Sequence, residues 1–466
     1  MTSELADKDV GAPKTSRLSH GLRQRHLTML ALGGVIGSGL FVGSGAGIAL
    51  AGPGIVVSFA LAGLLALLVM FMMAEMSAAM PASGSFSEHA ERAFGPWAGF
   101  LVGWLYWATL VIVLAVESTA AAMILHDWIP AMPQWSLVLI VMTLFTAVNL
   151  TAVGNFGEFE FWLAMIKVAV IVGFLVLGVL AIFGLLPGTA SPGLTNLTGD
   201  GGLLPHGWTG VVSALLAVVF AFGGLEVITI AAAESDNPAR AVGRAARSAL
   251  WRIGVFYVGS MIVVVTLLPW NDSKVGKSPF VAVLEHLGIP AAGQVMNVVI
   301  LLALLSALNA NLYGAARMVF SLGKRTEAPR LLTKVSPGGV PRPAVLASAA
   351  FGFVAVVLNL LWPKTIFLFL LNTVGANLLL VWIMVACAQL RLRRTLLQEH
   401  PDGLPVRLWG FPVLSWIALA AMAAVTVLML TDDGSRTQLL SSVVLAAAVL
   451  VIAFVRSRFR KKTAAA

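Results

Sequence analysis

The sequence predicts an all-α polytopic membrane protein with twelve transmembrane helices. Three observations predict it: composition, the length of the apolar runs, and the placement of the cations. Of 466 residues, 59% are hydrophobic and 11% charged, with a mean hydropathy of +0.93. Soluble domains carry about 25% charged residues. The apolar residues gather in runs near the ~20 residues a helix needs to cross hydrocarbon, where a backbone must satisfy its own polar groups. The cations fall in alternate loops.

Residues 1–27 form a polar arm carrying Lys8, Lys14, Arg17, Arg23 and Arg25. The first apolar segment, Thr28–Leu50, is too long for the core of a cleavable signal, so none is expected. It contains Gly33, Gly34, Gly37 and Gly39. Each glycine weakens a helix by about 1 kcal/mol relative to alanine, so a break is expected there. The second and third spans are Gly54–Met73 and Trp97–Leu125, the latter holding Glu117. A short fourth span, Ser136–Leu150, precedes the fifth, Phe161–Phe183, which holds Lys167.

A Gly/Pro-rich loop, Leu185–Trp208, leads to the sixth span, Val211–Ala232, interrupted at Phe222-Gly223-Gly224. The remaining spans are Leu250–Leu268, Ala291–Val319, a short ninth at Val345–Leu361, Ile366–Gln389, Pro412–Leu430 and Leu439–Phe454, with a basic tail from residue 456.

The formal net charge of +9 invites a nucleic-acid reading, which the distribution opposes. The cations cluster in the N-terminal arm, in the loops after the sixth, eighth and tenth spans, and in the tail. The opposite loops hold Lys274, Lys277, Lys364 and Arg436. This is the positive-inside pattern, which places both termini in the cytoplasm, consistent with an even number of spans. Cys387 is the sole cysteine and the seven histidines show no ligand spacing, so no disulfide, metal or cofactor is expected.

The first and sixth spans are both broken near their middles, and five spans separate their starts. An odd offset gives the two halves opposite orientation. Paired breaks of this kind point to a midplane binding site in an inverted-repeat transporter. The expected units are residues 28–184 and 185–389 as two repeats of five spans, residues 390–455 as two further spans, and 456–466 as a cytoplasmic tail. Glycine stripes also serve helix packing, and Gly39, Gly43 and Gly47 fit one. A dinucleotide loop is a far weaker reading, because no strand precedes the glycines and the run lies in lipid.

Amides of Gly37, Ser38 and Gly39 open a half-helix and suit a carboxylate. Carbonyls near Val35, Ile36, Ala221 and Phe222 suit an ammonium, and Phe222 suits either an aromatic gate or ordinary packing. Ionisable groups in lipid are costly and usually functional. Lys167 lies about two turns inside its helix, where it serves either proton coupling or snorkels to the interface. Glu226 follows the second break and either shapes it or meets substrate; Glu117 faces the cavity or a polar network. Asn309, Asn311 and Tyr313 line the cavity or join helices. Glu234-Ser235-Asp236-Asn237-Pro238 precedes Arg240, Arg244 and Arg247, whose spacing shares one helix face; ion pairs between this loop and its neighbours latch an inner gate, or the loop is a solvated, charged one.

Several runs resemble a known family: Gly33 through Gly43, Ala51-Gly52-Pro53, Ala74-Glu75-Met76, Gly84-Ser85-Phe86, Gly103-Trp104, and Glu158-Phe159-Glu160-Phe161-Trp162 followed by Lys167. They resemble the amino acid transporter branch of the amino acid–polyamine–organocation (APC) superfamily. Within it, Gly103 through Trp107, Ala121 through His126 and Thr229 through Asp236 are similar to bacterial γ-aminobutyrate (GABA) permeases. The resemblance implies a leucine-transporter-type 5+5 inverted repeat plus two helices. It implies import of an amino acid with a proton across the inner membrane, and a fifth-helix lysine, here Lys167, in the place of a sodium ion. γ-Aminobutyrate or a related ω-amino acid is the expected substrate. Aromatic amino acids, proline, lysine or asparagine, exchange on the same scaffold, and a transporter-like nutrient receptor are the alternatives. No nucleophile–base or metal constellation suggests an enzyme.

Overall fold

A computed structural model describes residues 36–80, 86–151, 154–188, 190–226, 238–289, 291–431 and 433–464. The described residues contain helices and no strand. Nine helices among them are long and apolar enough to cross a membrane. Two further apolar helices, Gln134–Asn149 and Gly207–Ala221, are shorter. Each expected apolar segment overlaps a helix. The polar arm and residues 28–35 of the first segment, Val35 among them, lie outside the described residues, as do Glu234 and Asp236.

The description opens at Ile36, within the glycine-rich run of the first apolar segment. A π-helical turn, Gly39–Gly43, runs into helix α1, Ser44–Ala51. A 3₁₀ turn, Gly52–Gly54, separates it from α2, Ile55–Ala79. Gly52 has φ +58°, and a Cβ there would lie 2.4 Å from the Pro205 ring, so only glycine fits. Helix α3, Phe86–Phe94, is short and amphipathic, a feature the apolar runs did not announce. It buries Phe86, His89 and Ala93 against the bundle. Pro96, at a first helical position that needs no N–H, starts α4, Pro96–Trp128. Then follow α5, Gln134–Asn149, and α6, Gly154–Ile182.

The second half begins with α7, Gly207–Ala221. Helix α8, Pro238–Arg252, passes through a second π-helical turn, Ile253–Val258, into α9, Gly259–Leu267. A short helix α10, Pro279–His286, precedes α11, Ala292–Lys324. Helices α12, Arg342–Gly352, and α13, Val354–Leu361, share the ninth expected span, and α14 covers Ile366–Glu399. The chain closes with α15, Val413–Thr431, and α16, Asp433–Ala464.

Helices α4 and α11 pack along one another at the centre and both touch α5 and α12. The most apolar window of α4 is 83% buried, whereas those of α15 and α16 are 22% buried, which puts the last two at the lipid-facing periphery. The difference explains why α4 tolerates Glu117, Ser118 and Thr119, all buried, while α15 exposes Trp416, Ile417 and Val427. Polar side chains in a membrane helix must find protein partners, and only central helices offer them.

Candidate functional site

The start of the first described helix meets the turn that ends α7. A Cβ on Gly39 would lie 2.4 Å from Ala221 Cα and 3.0 Å from Ala221 N, so the backbones of the two breaks touch. Helix α7 ends in a tight turn in which Phe222 N donates to Val219 O at 3.1 Å and Gly223 N to Phe220 O at 2.9 Å. Gly224, with φ +99°, then redirects the chain, and helix resumes at Leu225. A positive φ is cheap for glycine alone, which is why the break needs that residue.

The first break grips a carboxylate, and that carboxylate belongs to Glu117. Ser38 N donates to Glu117 Oε1 and Oε2, each at 3.2 Å, and Ser38 Oγ donates to Oε1 at 2.9 Å. A Cβ on Gly37 would lie 2.6 Å from Glu117 Oε1, so that glycine makes room for the acid. A small cavity adjoins this contact. Gly37, Gly39 and Glu117 form one wall, Ala221 and Gly223 another, and Ala307 and Asn311 of α11 a third. Its volume is ≈ 20 Å³. That suits about one water molecule, so an amino acid enters only when the helices move apart.

Ile36 and Phe222 face elsewhere. Both border a second cavity of ≈ 10 Å³ with Arg252 and Tyr257. The Phe222 ring lies 4.9 Å from that of Tyr257 and 6.1 Å, edge-on, from that of Phe59. Glu226 is fully buried, with Oε2 accepting from Gly224 N at 2.9 Å and Oε1 from Trp382 Nε1 of α14 at 2.5 Å. Those bonds tie the second break to a neighbouring helix.

Three polar residues of α11 separate. Asn311 reaches the cavity and donates to Ala307 O at 2.7 Å. Asn309 accepts from Asn149 Nδ2 of α5 at 2.7 Å. Tyr313 carries the Arg317 guanidinium 3.8 Å above its ring. Lys167 is 1% exposed, and its Nζ donates to Ser306 Oγ of α11 at 2.7 Å. Glu160, also 1% exposed, lies 3.9 Å from the same ammonium. The sequence reading passed over Glu160 and Ser306 as site residues. The signal was present: residues seven apart on a helix fall within about 20° of one face, so Glu160 and Lys167 share one. Among the described residues, no group of three His, Cys, Asp or Glu side chains could hold a metal ion.

Comparison with known proteins adds kinship. An amino acid permease family profile matches residues 26–465. The chain is 47% identical over 452 residues to the gamma-aminobutyric acid permease of Bacillus subtilis (strain 168), covering 97% of this chain and 96% of that one. It is 46% identical to the aromatic amino acid transport protein AroP of Corynebacterium glutamicum, covering 95% and 96% respectively. Identity to the gamma-aminobutyric acid permease of Escherichia coli (strain K12) is 42%, covering 95% of each.

Proposed function

Because this chain belongs to the amino acid permease family, we propose that it imports γ-aminobutyrate, or a closely related ω-amino acid, together with a proton. The observation that carries this reading is the grip of Ser38 on a carboxylate at the junction of two helix breaks. The amide and hydroxyl already hold a carboxylate in the dry interior, so their chemistry suits that end of a zwitterion. On binding, the substrate carboxylate replaces that of Glu117. The displaced Glu117 and the carbonyls of the breaks then face the substrate ammonium. The exchange swaps one charge-assisted hydrogen-bond set for another, which keeps its net cost small.

The walls support a slender substrate. Three glycines and two alanines border the cavity, with Val113 of α4 beside them. γ-Aminobutyrate has no side chain to seat, whereas an aromatic amino acid needs a pocket opened well beyond these walls. Two of the relatives are named for γ-aminobutyrate, in keeping with this reading.

The driving force in this reading is a proton gradient, with Lys167 in the coupling machinery. The chain sits in a bacterial inner membrane with both termini cytoplasmic, as the loop cations favour. Residues 28–184 and 185–389 act as the two repeats, and their relative rocking alternates access.

The test is uptake by proteoliposomes under an imposed proton gradient, with labelled γ-aminobutyrate, aromatic amino acids, proline, lysine and asparagine. Accumulation of γ-aminobutyrate above the outside concentration is expected. The analogue 4-aminobutanamide, lacking the carboxylate, should compete at least about tenfold more weakly, since a hydrogen bond to a charged group is worth about 1.5–3 kcal/mol. Uptake only against internal amino acid would indicate an exchanger. Binding without flux would indicate a receptor. Equal competition by the amide would remove the carboxylate grip.

A further inference from the structure

Glu160 is a buried acid outside the substrate grip and outside both helix breaks. It lies on α6 two turns before Lys167, toward the end of that helix at Gly154. Between the two side chains stands Ser306 of α11, itself fully buried. The hydrogen bonds run in one direction. Lys167 Nζ donates to Ser306 Oγ at 2.7 Å, and Ser306 Oγ donates to Glu160 Oε1. The ammonium nitrogen and the same carboxylate oxygen are 3.9 Å apart, so the hydroxyl bridges a pair not in direct hydrogen-bond contact. The second oxygen, Glu160 Oε2, is buried and has no hydrogen-bond partner among the described residues.

We propose that Lys167, Ser306 and Glu160 form a proton wire, in which Glu160 passes the proton between Lys167 and the side of the membrane reached by the start of α6. In the forward step an N–H bond of the Lys167 ammonium breaks as a new O–H bond forms on Ser306. The original O–H of Ser306 breaks as an O–H bond forms on Glu160. The products are a neutral amine, an unchanged hydroxyl and a neutral carboxyl. No proton is gained or lost, and two opposite charges in a dry interior vanish together. When the bundle opens on that side, the neutral carboxyl rotates about its Cγ–Cδ bond, which carries the new O–H away from Ser306 to the position of the unpartnered Oε2; that O–H bond then breaks as water takes the proton, leaving the carboxylate.

Among the described residues, few titratable groups besides Glu158 on its own helix come from the elements packed around Glu160. The groups that face Lys167 include Glu160 on its own helix, Glu117 on α4 and Ser306 on α11. Of the elements packed on α6, helix α9 carries no acid or base in its sequence. The adjoining π-helical turn offers Tyr257, and α10 offers Glu285 and His286 at its exposed end. Helix α11 offers Arg317 three turns beyond Ser306.

This inference rests on the proton-coupled reading above, and the experiment separates the two. Full-length wild-type protein and the variants Glu160→Gln, Glu160→Asp, Ser306→Ala and Ser306→Thr are reconstituted in proteoliposomes. Two quantities are measured with labelled γ-aminobutyrate across a pH series: uptake driven by a proton gradient, and substrate–substrate exchange without one. Glu160→Gln and Ser306→Ala should lower the ratio of driven uptake to exchange by about a hundredfold or more, the scale of a lost proton-transfer group. Ser306→Thr, which keeps the hydroxyl, and Glu160→Asp should restore most of that ratio. Should Glu160→Gln fail to fold, Ser306→Ala against Ser306→Thr decides, because a static ion pair does not need the hydroxyl. An unchanged ratio in Ser306→Ala overturns the wire. Absence of gradient-driven uptake in the wild-type protein overturns the reading beneath it.

Discussion

Gly39 shows how much a missing methyl group decides here. Its Cβ would strike Ala221 Cα at 2.4 Å, and neither atom belongs to a side chain that can swing away. Overpacking of this kind costs about 1–3 kcal/mol and moves backbone. Gly39→Ala should therefore part the two breaks and reduce uptake by about tenfold or more, with a lower thermal midpoint. Paired uptake and unfolding assays check this, and full activity in the variant would mean that the contact is not needed. Lys167 is the second decisive residue. Lys167→Ala leaves Ser306 and Glu160 without their cation, so gradient-driven accumulation should vanish while substrate still protects the protein against unfolding. Unchanged accumulation would remove the lysine from the coupling.

At the scale of the element, the short helix α3 carries a pH dependence of its own. His89 is buried, with Nε2 facing Met80 O at 3.1 Å. Burial pushes its pKa down from 6.5 to about 4, with the nearby Arg92 adding to the fall and the Met80 carbonyl opposing it. The unfolded chain binds a proton near 6.5 that the folded protein refuses until about 4. The contribution is thus fully present above pH 6.5 and is lost as pH falls toward 4, a total of about 3 kcal/mol. The thermal midpoint of the detergent-solubilised protein should fall across that window. His89→Gln, which does not titrate, should flatten the slope, and an equal slope in that variant would exonerate the histidine. The helix breaks follow a different logic. Gly224 sets the turn, Glu226 holds its amide, and Trp382 anchors the acid to α14, so a local interruption becomes a fixed tertiary feature.

Across the whole molecule, buried ionic contacts fasten helices that are far apart in sequence. Glu75 of α2 accepts from Arg393 Nη1 of α14, from Gln389 Nε2 at 2.9 Å and from Leu408 N at 2.8 Å. Gln389 continues the network by accepting from Ser415 Oγ of α15 at 2.9 Å. Breaking one partner of a buried pair costs about 3–5 kcal/mol, because the other charge stays behind. Arg393→Met should therefore lower the thermal midpoint far more than Arg92→Met, whose contact with Glu399 is exposed and worth about 0–1 kcal/mol. Comparable effects from the two variants would deny Glu75 its fastening role.

The sequence by itself determined the class of fold, the approximate place of the spans, the interruption of the sixth and the family. Those features are local or periodic: apolar run length, glycine density and alternating loop charge are written in consecutive residues and are imposed by the lipid around each segment. Lys167, Glu117 and Glu226 also stood out, since a lone charge in an apolar run is conspicuous. Only the tertiary structure decided what each of them touches. It turned Glu117 onto Ser38, tied Glu226 to Trp382, and sent Asn309 and Asn311 to different neighbours although they are two residues apart. It also gathered Glu160, Ser306 and Lys167 into one chain of hydrogen bonds. The partners in those contacts lie up to 160 residues apart. Their meeting depends on how whole helices rotate and cross, which no stretch of consecutive residues encodes.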